Sequence, residues 1–307
     1  MSPVNESLYP AGTFSPTGEV IISPDYGYMP SKHIATLFLV LFSISAVLHL
    51  AEAIYFHMWY LIPTAVLGAT GEIIGWAGRF WSSVSPLLDD PFTMQIVCTI
   101  IAPTPFLAAV FIIFARITER LGVQYSRLPP RWYSRFFLTC DIISLVVQAA
   151  GGGIASSASD TSGSNLGGNI MLGGIVFQLI SLIIFIFCAS ETLYRFWKDA
   201  PVRRLDNDDR TMVTKPKLEH KLRLLIEALA LITVLIFIRS IYRTIELADG
   251  WNGRIIGTQV YFNVLDGGMV AAAMLILNIF HPGMLLTPLA PKGVPLGSNY
   301  SLSPMEK

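Results

Sequence analysis

Charged and amide side chains sit inside long apolar runs of this 307-residue chain, and their spacing sorts them onto helix faces. His49 and Glu52 are three residues apart. Glu72 and Arg79 are seven apart, as are Asp141 and Gln148. Arg239, Arg243 and Glu246 fall at offsets of 0, 4 and 7, and Asn263 stands three before Asp266. Residues at these offsets share one face of an α-helix. A charge in hydrocarbon is costly, so such residues turn toward the bundle interior or a wet cavity. Two guanidiniums one turn apart can hold one anionic headgroup through forked hydrogen bonds. Carboxylates at the other end of the bundle suit an amine. Each Arg could equally be neutralised by a carboxylate and lock helices together. His49 and Glu52 could supply two metal ligands, but spacing offers no third, and a hydrogen bond is the simpler use of the pair.

Apolar runs must position these residues. They span Ile34–Phe56, Tyr60–Trp81, Phe92–Ala115, Phe136–Ser157, Gly168–Leu193, Leu222–Ile245 and Gly257–Phe280. Each is long enough, as a helix, to cross roughly 30 Å of hydrocarbon. Lys and Arg mark cytoplasmic loops. Sixteen of the 21 lie in the gap after the third run, the gap after the fifth and the C-terminal tail. The opposite side holds only Lys32 and Arg254. The pattern predicts an all-α bundle of seven transmembrane helices over 34–281, N-terminus outside and C-terminus cytosolic. On that topology Arg79, Arg239, Arg243, Glu246 and Asp266 form an outer layer. His49, Glu52, Asp141, Glu191, Glu227 and His281 fall in the inner half or at its boundary. Glu72, Gln148 and Gln178 lie near mid-depth. So many ionisable groups point to a wet or ligand-filled cavity.

Composition agrees: 53% of residues are hydrophobic and 14% charged, against about 25% charged in soluble domains. Zero net charge argues against a nucleic-acid partner. No Gly-x-x-x-x-Gly-Lys-Ser/Thr loop is present, and the seventh run has no Lys for a retinal Schiff base. Gly68, Gly71, Gly75 and Gly78 should let a neighbouring helix approach closely. Pro103 and Pro105 should kink the third helix or open a local break in it. The run Gly151 to Gly153 should either end the fourth helix or admit a close neighbour. Leu128 to Tyr133 reads as an interfacial anchor. Residues 1–33 read as a disordered extracellular tail carrying a glycosylation acceptor at Asn5, with no signal peptide. Residues 282–307 read as a disordered cytosolic tail, where the acceptor at Asn299 would be silent. Cys98, Cys140 and Cys188 read as buried thiols. No internal repeat supports an inverted-repeat transporter.

Several stretches carry a family likeness. They are Tyr-Gly-Tyr-Met-Pro-Ser (26–31), His-Leu-Ala-Glu (49–52), Gly-Glu-Ile-Ile-Gly-Trp-Ala-Gly-Arg (71–79) and Pro-Arg-Trp (130–132). Others are Asp141 with Gln-Ala-Ala-Gly-Gly-Gly (148–153), Gly-Gly-Ile-Val-Phe-Gln (173–178), Ile-Arg-Ser-Ile-Tyr-Arg-Thr-Ile-Glu (238–246) and Phe-His-Pro-Gly (280–283). Together they resemble the fungal lipid-translocating exporters, the seven-span aminocholesterol-resistance type. The resemblance implies a multi-pass protein, often at the plasma membrane, tied to lipid asymmetry or resistance to toxic amphiphiles. The expected function is translocation of an amphiphile such as a sphingoid base. Expected partners are membrane lipids or amphiphilic small molecules, with no cofactor and no catalytic step. The alternatives are a seven-helix receptor or sensor for a lipid-like ligand and, less favoured for want of metal ligands, an intramembrane lipid-modifying enzyme. Substrate, direction, ion coupling and oligomeric state are not legible in the sequence.

Overall fold

A computed structural model describes residues 26–86, 88–158, 160–202, 218–250 and 253–286. Residues 1–25 with Asn5, the stretch 203–217, and 287–307 with Asn299 lie outside the described residues, whereas 26–33, expected to be part of a disordered tail, pack on the bundle through buried Tyr26 and enter α1 at Lys32. Seven helices are long and apolar enough to cross a membrane. They are α1 (Lys32–Tyr55), α2 (Trp59–Val84), α3 (Asp89–Leu121), α4 (Pro130–Ser157), α5 (Thr161–Lys198), α6 (His220–Ala248) and α7 (Gln259–Leu285). Among the described residues there is no strand.

The helices outrun their apolar cores for local reasons. α4 begins at Pro130 rather than Phe136, because a proline in the first turn gives up no hydrogen bond. α5 has 38 residues, about 57 Å at 1.5 Å per residue, and so overhangs the hydrocarbon. Its start is capped by Asp160, whose Oδ1 accepts from the Gly163 N–H at 3.2 Å. Its end carries Arg195 and Lys198 in the last turn, with Asp199 in the left-handed region at φ 54°. Helical structure also continues past the boundary expected at 281, through a short turn at Pro282–Leu285. Of the expected anchor, Trp132 is exposed but Tyr133 is buried. The Tyr133 hydroxyl bonds Thr192 at 3.1 Å, so it pins α4 to α5.

α3 sits at the centre: Phe106, Leu107, Ala108, Ala109, Val110 and Phe111 are buried in succession, as a helix that is apolar all round requires. α2 lies against its first half along the glycine stripe. A Cβ on Gly75 would stand 2.6 Å from Thr99 Cγ2, and one on Gly78 2.8 Å from the Pro91 carbonyl oxygen. α4 and α5 pair in the same way, since a Cβ on Gly151 would stand 2.5 Å from the Met171 nitrogen. The Gly151 to Gly153 run therefore admits α5 rather than ending α4. α3 is interrupted at Ala102, between Asp89–Ile101 and Pro103–Leu121. Pro103 and Pro105 lack N–H groups, so the carbonyls of Thr99 and Ile101 lose their i+4 donors. α7 widens at Phe262–Gly268 into a turn with i→i+5 bonds, a feature common at functional sites. Leu37, Val47, Ile142, Val146 and Phe187 are exposed on the outside of the bundle.

Candidate functional site

The charged stripe of α6 meets both irregularities, the widened turn of α7 and the break in α3. Arg243 donates from Nε to Asp266 Oδ1 at 2.8 Å and from Nη2 to Oδ2 at 2.7 Å. Its Nη1 reaches Glu246 Oε2 at 2.7 Å, and Nη2 also reaches Thr99 Oγ1 at 2.7 Å. Arg239 donates from Nε to Asp266 Oδ1 at 2.9 Å and from Nη2 to the Thr99 carbonyl at 2.6 Å. The Tyr242 hydroxyl donates to Glu246 Oε1 at 2.6 Å. All these side chains are buried. These bonds tie α6 to α7 and α3, as the helix-locking use of the stripe requires.

Glu72 and Arg79 share the buried face of α2, as their spacing predicts. Glu72 is fully buried and faces the indole N–H of Trp76. Arg79 donates to the Tyr28 hydroxyl at 2.8 Å and to Gln95 Oε1 at 3.3 Å, both neutral acceptors. Burial holds the Tyr28 phenol above its ordinary pKa, although Arg79 pulls the other way.

The expected inner group divides. His49 Nδ1 and His281 Nε2 lie 3.8 and 3.9 Å from the same oxygen of Glu52. His281 Nδ1 accepts from the Gly283 N–H at 3.1 Å, which leaves its Nε2 as the protonated nitrogen, facing Glu52. Among the described residues no three of His, Cys, Asp and Glu are placed to hold a metal. Asp141 belongs elsewhere, on the α4–α5 seam. Its helix face also carries Ser144, whose Oγ donates to the Gly174 carbonyl at 2.6 Å, and Gln148. Gln148 Nε2 donates to Ser144 Oγ at 2.6 Å and to Gln178 Oε1 at 3.1 Å. Gln178 passes the chain on to Thr104 Oγ1 at 3.1 Å. Asp141 is buried and faces the Gln178 amide. Glu191 is held by Arg127 and Arg195 at 2.8 and 2.7 Å, and Glu227 by Arg223 at 2.8 Å.

A groove of about 310 Å³ opens between the second half of α3, α5 and α6. Phe114, Ile186, Leu229 and Phe237 make its walls, and Ser190 and Thr233 bring the hydroxyls. A second hollow shares Leu193 and Ile226 with it and reaches Arg223, Glu227 and Trp197. None of the polar residues singled out inside the apolar runs lines the larger groove.

A match to the RTA1-like proteins covers residues 65–288. The sphingoid long-chain base transporter RSB1 of Saccharomyces cerevisiae is 30% identical over 280 residues, covering 84% of this chain and 73% of that protein. The chain belongs to the RTA1-like family. Protoporphyrin uptake protein 1 of the same yeast is 28% identical over 276 residues, covering 78% of this chain and 86% of that one. No solved structure matches. The likeness read from the motifs is thus confirmed.

Three partners of the RTA1-like site went unread in the sequence. Thr99, Gln95 and Tyr242 are uncharged and carry no signal of their own. The position of Thr99, four before Pro103, could have marked its carbonyl as free for a side-chain donor. The groove was missed because its lining is apolar and looks like any lipid-facing surface.

Proposed function

We propose that this RTA1-like protein moves a long-tailed amphiphile between the leaflets of a bilayer, with no chemical step. The groove carries the reading. Its volume of about 310 Å³ lies within the roughly 300–1,000 Å³ of small-molecule sites. It is apolar along α3, α5 and α6, and continues toward Arg223 and Glu227. A hydrocarbon tail and a polar head would each meet a matching surface. Similarity to a protein named as a sphingoid long-chain base transporter supports that lipid class. The asymmetry of Lys and Arg supports an outside N-terminus, and the plasma membrane is the proposed location.

The test is a liposome assay with a fluorescent sphingoid base as probe. Ala230 lines the groove and is exposed, so Ala230→Trp should fill the groove without disturbing the core. The wild-type protein should speed the probe's transfer over empty liposomes, and Ala230→Trp should slow it several-fold. Transfer no faster than in empty liposomes, or equal in the variant, rejects the reading.

A further inference from the structure

Among the described residues, Arg79 is a buried cation without a contacting anion. It is 1% exposed, under the segment 26–30 and beside the first half of α3. A guanidinium has five N–H donors. One goes to the Tyr28 hydroxyl at 2.8 Å, one to Gln95 Oε1 at a long 3.3 Å, and Nε has no partner. Gln95 Oε1 is also shared, because the Tyr26 hydroxyl donates to it at 2.8 Å. The nearby carboxylates of Asp266 and Glu246 are committed to Arg239, Arg243 and Tyr242. What faces the charge is aromatic. The rings of Tyr26, Tyr28, Trp76 and Phe262 stand 4.5 to 5.8 Å from the guanidinium carbon. Rings stabilise a cation but accept none of its forked hydrogen bonds.

The covering segment is built to sit there. Gly27 takes φ 67°, a left-handed turn that brings both tyrosines back over α2 and α3. Tyr26 is held by Gln95, by Ser82 at 3.2 Å and edge-on by Phe92 at 4.8 Å. Among the described residues, Tyr28 makes a single hydrogen bond, the one from Arg79. Its phenol is kept neutral by burial, and a neutral hydroxyl is a weaker acceptor for a guanidinium than an oxyanion. We infer that Arg79 is an oxyanion site, taking a phosphate or carboxylate group, in which the Tyr28 hydroxyl holds the place the anion takes. The site stands whether or not the protein translocates lipid.

The full chain in detergent micelles tests this, with thermal midpoint and tryptophan emission as readouts. The probes are inorganic phosphate and dihexanoyl phosphatidic acid, with dihexanoyl phosphatidylcholine as the neutral-headed control. Phosphatidic acid should raise the midpoint in a saturable way and the control should not. A matching rise with inorganic phosphate makes the ligand a free anion. A rise with the lipid alone makes it a headgroup. Either supports the site. Arg79→Gln should abolish the response. Because a buried arginine can be needed for folding, Tyr28→Phe is the second variant. Removing the competing acceptor should tighten anion binding by about fivefold, the value of one net hydrogen bond. No response to either probe, a folded Arg79→Gln protein that responds like wild type, or unchanged affinity in Tyr28→Phe overturns the inference.

Discussion

Arg239 donates to the carbonyl of Thr99 at 2.6 Å, and that carbonyl is free because Pro103, four residues on, has no N–H to give it. The break in α3 thus makes an acceptor in the bundle interior, and α6 supplies its donor. Pro105 frees the Ile101 carbonyl in the same way, but no side chain among the described residues takes it. This separates the two prolines. An alanine is favoured over a proline within a helix by about 3 kcal/mol. Pro105 lies in the first turn of Pro103–Leu121, where a proline costs less, so Pro105→Ala should gain only part of that in thermal unfolding. Pro103→Ala should fall clearly short, because the new amide competes with Arg239. Equal gains would show that the Arg239 contact contributes nothing.

Asp266 serves two guanidiniums, while Glu246 serves one guanidinium and the Tyr242 hydroxyl. Asp266→Asn should therefore destabilise more than Glu246→Gln. Removing one partner of a buried ion pair costs about 3–5 kcal/mol. Arg243→Lys keeps the charge but cannot fork onto both oxygens of Asp266, so it should lower the midpoint as well. Combining Arg243→Gln with Asp266→Asn should restore only part of the loss, since Arg239 is still stripped of its carboxylate. Midpoints of the singles and the double form the cycle that measures this.

Which parts were legible follows from what each signal measures. Apolar run length and the prolines report backbone hydrogen bonding, and they placed all seven helices and the break near Ala102. Helical offsets report which residues share a face, and they correctly grouped Arg239, Arg243 and Glu246. Offsets say nothing about which helix lies opposite. That is why Asp141 was grouped with His49 and Glu52 by depth, although it sits on the α4–α5 seam. Choosing between a lock and a ligand site required knowing that Asp266 lies in a widened turn, re-aimed at both arginines. Nothing in Asn263-Val-Leu-Asp266 announces that turn.

The α4–α5 seam depends on missing side chains. A Cβ on Gly167 would collide with the Ala155 backbone and the Gly151 carbonyl, whereas one on Gly173 meets nothing within 4 Å. Gly167→Ala should therefore destabilise by about 1–3 kcal/mol, the usual cost of overpacking. Gly173→Ala should be neutral or gain up to about 1 kcal/mol from helix propensity. Thermal unfolding in one detergent compares the two. A tolerated Gly167→Ala would mean that the helices separate easily along this seam.

Asp141 is the sharpest test of whether the buried polar groups act on a ligand. It is 1% exposed and faces the Gln178 amide. Its neighbours on the seam are amides and hydroxyls that already bond one another, from Ser144 through Gln148 and Gln178 to Thr104. Asp141→Asn conserves the shape and can still accept from the Gln178 amide, so folded yield should stay near wild type. Stability should shift by less than about 1 kcal/mol, as for substitutions that break no named interaction. If Asp141 meets the amine of a substrate away from the groove, transfer of a fluorescent sphingoid base in liposomes should nevertheless fall several-fold. Glu52→Gln should behave alike in the His49–His281 group. Full transfer activity in both variants would assign these carboxyls to packing alone. A large loss of folded yield in Asp141→Asn would show that the side chain has a structural partner after all.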